Sequence, residues 1–249
     1  MTDERLREFD DPRTFIVLAK GHSATRLLGT ILRDAGVFTG GAAHQNPSSD
    51  MVPPTSMYRL AREYAKQVVY HGGVHWSFPE PQITPAMVEL LVDYLRPLAG
   101  HPGKIGWKLP ETLLAYPVVS RLLPRASYIC WTRHPLDSAA QELGGKHHGT
   151  HWLGERFGVP GATRCDGALS YLYQFCILAR QPRPSRFLWV RFEDVALDEH
   201  GARGELARFL GEDRLPAIRV KPERVYVHGR QSPISPDYLV AAAHALGYA

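Results

Sequence analysis

The chain has 249 residues, 44% of them hydrophobic, with 29 Lys and Arg against 25 Asp and Glu and a formal net charge of +4. That length suits one α/β domain, expected here over residues 1–249. The mild positive balance is compatible with an anionic ligand and too small to argue for nucleic acid, and no apolar run is long enough to span a membrane. The three cysteines, Cys130, Cys165 and Cys176, have no metal-like spacing. They read as reduced thiols of a soluble, cytoplasmic chain rather than a disulfide framework. The start, MTDERLREFDD, is charged and has no apolar leader pattern.

Phe15 to Ala19 is an apolar run of strand length, rich in β-branched and aromatic residues. Lys20-Gly21-His22-Ser23-Ala24 follows as a short loop of small residues. From Thr25 the pattern becomes helical, with Leu27, Leu28, Ile31, Leu32 and Ala35 on one face and Gly36 as a stop. In such a strand–loop–helix unit the loop N–H groups and the helix N-terminus converge on one point, which attracts an anion, typically a phosphate. Lys20, His22 and Arg26 add donors there. The loop is not a Walker A motif, because no Lys-Ser or Lys-Thr pair follows a glycine. The plainer alternative is a turn in which Ser23 caps the helix.

Residues 37–54, rich in Gly, Ser, Asn and Pro, read as a long loop. Loops of that length are often functional. Thr55 to Val69 reads as a helix with Met57, Leu60, Ala61, Tyr64 and Val68 in phase, and Tyr70 to Pro85 as a second loop. Thr84 is the expected N-cap of a helix to Ala99, with Pro85 in its first turn. Lys104 to Leu109 is a strand stopped by Pro110, and Glu111 to Leu123 is helical. Ser127 to Trp131 is the third strand, ending in Thr132-Arg133-His134-Pro135, where a helix starts. Lys146 to Asp166 is loop-like, Gly167 to Arg180 helical, Arg186 to Phe192 the fourth strand, and Gly204 to Gly211 a helix.

Strands alternating with helices imply a three-layer α/β fold around a parallel sheet covered on both faces. Right-handed crossovers place the strand-to-helix loops on one edge, where open α/β sheets bind ligands. Lys20 to Arg26, Lys108, Arg133 and Glu193 are therefore expected around one cleft.

Together these pieces resemble sulfotransferases that use 3′-phosphoadenosine 5′-phosphosulfate (PAPS). His22-Ser23-Ala24-Thr25-Arg26 is similar to the family's 5′-phosphosulfate loop, with the Thr-Arg ending of the heparan-type branch. Trp107-Lys108-Leu109-Pro110 resembles that branch's Lys-Ser-Pro element. Ile129 to Asp137, ICWTRHPLD, is similar to the element whose arginine, here Arg133, binds the 3′-phosphate. Val190 to Val195, VRFEDV, resembles the family's "R-Y-E-D-L" strand end, and Arg208 to Gly211 its Phe-Leu-Gly. His228 to Pro233 looks like the loop whose glycine and arginine, here Gly229 and Arg230, close over the nucleotide. The resemblance spans about residues 15–235 and implies a P-loop-NTPase-like sulfotransferase fold.

It also implies a reaction, sulfuryl transfer from PAPS to a hydroxyl or amine of a small molecule or carbohydrate, without a metal. The implied nucleotide ligands are Lys20, Gly21, His22, Ser23, Ala24, Thr25, Arg26, Arg133, Gln141, Gly229 and Arg230. Gln141 stands where the family usually has a serine; its amide can donate the same hydrogen bond, and Ser138 is nearby. Ala24 replaces a usual glycine. Sulfuryl transfer needs in-line positioning and cations at the transferring oxygens. Lys108 takes that role, with His22 and Arg26 on the 5′ side. For the acceptor's general base, Asp50 and His44 rank first, ahead of His75, Glu80 and Glu111.

Other features have plainer readings. His147, His148 and His151 are too loosely spaced for a metal site. Glu193 and Asp194, adjacent on a strand, point to opposite faces and are expected to be structural. Trp76, Phe78, Trp152 and Phe157 either line an acceptor pocket or anchor loops. The competing functions are a P-loop-type kinase or nucleotidase, which the absent Walker lysine disfavours, and a non-catalytic nucleotide-binding homologue.

Overall fold

The computed structural model describes residues 3–21, 23–72, 75–135, 137–138, 153, 156–157, 166–218, 220 and 225. The elements below are numbered over these residues. The central sheet has the strands β1 (Thr14–Ala19), β4 (Ile105–Lys108), β5 (Ser127–Thr132) and β6 (Phe187–Arg191). They pair in the order β4-β1-β5-β6, and all three pairings are parallel. Helices α1 (Thr25–Asp34), α2 (Thr55–Ala65), α3 (Pro85–Leu95), α4 (Tyr116–Leu122), α5 (Asp166–Arg180), α6 (Phe192–Leu197) and α7 (Ala202–Leu210) flank it.

Period-two alternation along the strands builds two cores. Phe15, Val17 and Ala19 of β1 pack with Leu28, Ile31 and Leu32 of α1 and with Leu206 and Leu210 of α7. Ile16 and Leu18 point the other way, into a larger core with Leu60 of α2, Leu91 of α3, Val118 of α4 and Tyr171 of α5. Both faces are thus covered, as the α/β expectation requires. Gly106 lets β4 approach β1, because a Cβ there would lie 2.4 Å from the carbonyl oxygen of Phe15.

Several boundaries differ from the sequence reading. Helix α2 stops at Ala65, and Val69 instead opens a hairpin of β2 (Val69–Gly72) and β3 (His75–Ser77) inside the expected loop. The strands are short and only Trp76 is buried in them, so no alternation marked them. Segment 110–123 splits into a 3₁₀ turn, Pro110–Leu113, and α4, whose start carries Pro117. A helix running straight through would lose a hydrogen bond at that proline. Phe192 belongs to α6, so Glu193 and Asp194 sit in a helical first turn rather than on a strand. The Thr84 cap is as expected: its hydroxyl accepts from the Met87 N–H at 3.3 Å.

Trp76 is 2% exposed. Its ring packs against Tyr70, Phe157 and Tyr173 at 5.6, 6.2 and 5.6 Å between centroids. Trp76 and Phe157 therefore anchor the hairpin in the core. Trp152 lies outside the described residues. Among the described residues no helix is long and apolar enough to cross a membrane.

Candidate active site

The parallel registers bring the carboxyl ends of β4, β1 and β5 side by side, with Val17 opposite Lys108 and Ala19 opposite Trp131. The chain leaves these ends through Lys20, Lys108 and Arg133. All three line one cleft of about 820 Å³. Gly21, Ala24, Thr25, Arg26 and Asp50 line it too, so the structure brings together most of the residues singled out in the sequence.

Lys20 is 1% exposed at the end of β1. Ala24, not Ser23, is the N-cap of α1, with a left-handed backbone at φ 58° and ψ 27°. A non-glycine residue rarely adopts that conformation. No side chain caps the helix and its first turn holds no acidic residue. Its positive end therefore opens on the cleft without a compensating negative charge of its own. The alternative of a Ser23 cap does not hold: the Ser23 hydroxyl instead hydrogen-bonds Ser138 Oγ at 3.0 Å. Trp131 Nε1 also donates to the Ser23 carbonyl at 2.8 Å, tying this loop to the end of β5.

The Lys108 side chain is 2% exposed. Its ammonium donates to the Ser48 carbonyl at 2.6 Å and to Asp50 Oδ1. The other Asp50 oxygen accepts from Asn46 Nδ2 at 2.9 Å. Asn46 Oδ1 in turn accepts from the N–H groups of Ser48 and Asp50 at 2.8 and 2.9 Å, an Asx-type turn that fixes the loop. Met51 N donates to the Lys108 carbonyl at 3.1 Å, which seats the loop on the end of β4. Burial lowers the Lys108 pKa, against the pull of Asp50. The exposed Arg26 reaches the same loop, donating to Ser48 Oγ at 3.3 Å.

Arg133 is 3% exposed, with its guanidinium 3.9 Å from Asp137 and 5.3 Å from the Phe192 ring centroid. Tyr171 donates to its carbonyl at 3.2 Å. The turn after it is held by buried Glu193, which accepts from the His134 N–H at 2.8 Å, while Asp194 pairs with Arg191. Those two acidic residues are structural, as expected, though through helix geometry.

His44 ends a short 3₁₀ turn, Ala42–His44, and is not among the residues lining the cleft. Its carbonyl accepts from Val52 N at 3.0 Å. Glu111, in the turn just after Lys108, does line the cleft, and burial pushes its carboxyl up to about 7, with Asp50 adding to the rise. Among the lining residues that sequence reasoning missed are Tyr58 and Gln174. Tyr58 carried a signal, since it lies off the apolar phase of α2. His22, Gln141, Gly229 and Arg230 lie outside the described residues, as do His147, His148 and His151.

The fold is similar to the sulfotransferase domain from the curacin biosynthetic pathway, with 13% identity, 94% of this chain and 97% of that one covered, and a TM-score of 0.55. It is also similar to the sulfotransferase domain from the Synechococcus PCC 7002 olefin synthase, with 15% identity, coverage of 95% and 94%, and a TM-score of 0.52. At such identities the likeness concerns the fold. No curated protein sequence matches the chain. The sequence over residues 16–216 matches the model of the sulfotransferase family, and the chain belongs to that family.

Proposed function

We propose that this chain transfers a sulfuryl group from PAPS to a hydroxyl or amine of a small-molecule or carbohydrate acceptor. The observation that carries the reading is the convergence of Lys20, Lys108, Arg133 and the open N-terminus of α1 on one cleft. The donor presents anionic groups at two ends, and this donor set offers positive charge from three separate strand ends. The cleft volume of about 820 Å³ suits a ligand of nucleotide size.

In this reading Lys20 to Arg26, His22 included, hold the 5′-phosphosulfate with the N–H groups of α1. Arg133 holds the 3′-phosphate, with Gln141 beside it and Gly229 and Arg230 closing over the nucleotide. Lys108 balances negative charge that spreads over the transferring oxygens. Asp50 and Ser48 orient Lys108, so its ammonium needs little reorganisation as the charge develops. No metal is required by this donor set.

A thermal-shift comparison of 3′-phosphoadenosine 5′-phosphate (PAP) with ATP–Mg²⁺ tests the reading. Ligand at a hundredfold its Kd adds about 2.7 kcal/mol, or about 5–10 °C in a chain of this size. The expected result is such a shift with PAP and a smaller one with ATP–Mg²⁺. The reverse order overturns the reading in favour of a kinase-like activity.

A further inference from the structure

We propose that Glu111, rather than Asp50 or His44, takes the proton from the acceptor hydroxyl. The inference rests on the sulfuryl-transfer reading above.

Two carboxylates line the cleft beside Lys108, and their surroundings differ. Both Asp50 oxygens are engaged, one by the buried Lys108 ammonium and the other by Asn46. Protonating Asp50 would break that buried pair and leave the lysine charge uncompensated, which is costly. With both oxygens taken, Asp50 positions Lys108. His44 does not reach the cleft lining.

Glu111 stands three residues beyond Lys108, in the 3₁₀ turn that Pro110 starts after β4. Among the described residues no side-chain donor bonds its carboxylate; its own backbone N–H does. Lys108 from β4, Lys20 from the end of β1, Asp50 from the loop and Tyr58 from α2 line the cleft with it, and these and the buried Tyr94 of α3 act on it or respond to it electrostatically. A carboxylate raised toward neutrality is suited to accept a proton near the operating pH. Tyr58, pushed up to about 12, keeps its hydroxyl proton and stays a donor in the same cleft. In the step itself Glu111 takes the acceptor's proton as the acceptor oxygen bonds sulfur. The bond from sulfur to the 5′-phosphate oxygen breaks, its electron pair leaves on that phosphate, and Glu111 later returns the proton to water.

The test combines three measurements on the full chain. The Glu111 carboxyl is titrated by ¹³C NMR in the PAP complex, PAP affinity is measured by calorimetry, and PAPS cleavage is followed with water as acceptor. The variants are Glu111→Gln, Glu111→Asp and Asp50→Asn. We expect Glu111 to titrate near neutral pH. Glu111→Gln should bind PAP within about twofold of wild type but cleave PAPS about 100-fold more slowly, losing the rise in rate from about pH 6 to 8. Glu111→Asp should retain a displaced rise, and Asp50→Asn should retain a rise moved to lower pH, because the charge that helps to raise Glu111 is gone. A Glu111 carboxyl titrating in the ordinary carboxylate range, or a Glu111→Gln enzyme that keeps the rise, overturns the assignment. Failure of the wild type to bind PAP is a separate outcome, which overturns the donor reading and this assignment with it.

Discussion

Lys108 and Asp50 form an ion pair at the floor of the cleft, with side chains only 2% and 16% exposed. Removing one member of a buried pair leaves the other charge unmatched, at a cost of 3–5 kcal/mol where burial is complete. Asp50 keeps some contact with water, so Asp50→Asn is expected to cost about 2–3 kcal/mol. Urea unfolding near neutral pH measures it. A midpoint equal to wild type would mean that the pair contributes nothing net.

Glu111 predicts a pH dependence of stability. Its carboxyl rises from the ordinary 4.5 to about 7 in the folded chain, chiefly through burial. A raised folded pKa means that the native state holds the proton more tightly than the unfolded one. The contribution is therefore complete below about 4.5 and is lost as the pH rises through about 7, at most about 3 kcal/mol in all. Glu111→Gln should flatten this part of the curve and be the more stable protein at pH 8. Parallel wild-type and variant curves between pH 5 and 8 would contradict the account.

Gly29 sets two effects against each other. Alanine in a helix interior is normally favoured over glycine by about 1 kcal/mol. Here a Cβ would lie 2.8 Å from Ser49 Cβ, in the loop that carries Asp50, and 3.7 Å from Lys108 Cε. The contact should win, so Gly29→Ala is expected to destabilise by about 1–2 kcal/mol and to impair the cleft. A variant of raised Tm and unchanged PAP affinity would show that the loop yields freely.

Ala24 makes the opposite prediction. Its left-handed backbone is strained for alanine and natural for glycine. Ala24→Gly should raise stability by about 1 kcal/mol, seen as a higher urea midpoint with the same slope. A loss of stability would mean that chain flexibility outweighs the strain.

Much of this architecture was legible in the residues. The runs at Phe15–Ala19 and Ser127–Trp131 read as strands because burial on both faces leaves them continuously apolar. The motifs at Lys108 and Arg133 could be placed at strand ends because Pro110 and Pro135 punctuate them. The β2–β3 hairpin was not legible, because strands with one buried residue carry no period. Nor was the split between Asp50 and Glu111: whether a carboxylate is paired depends on Asn46 and Ser48 folding the loop back onto β4. Nor could the residues decide against a Ser23 cap, since it is Ser138, far along the chain, that engages the Ser23 hydroxyl.

The most direct test of the central claim is isothermal titration of PAP into the wild type and Arg133→Ala. The account predicts micromolar binding that the substitution weakens tenfold or more, about 1.4 kcal/mol. No detectable heat with folded wild-type protein, alongside measurable binding of ATP–Mg²⁺, would contradict it.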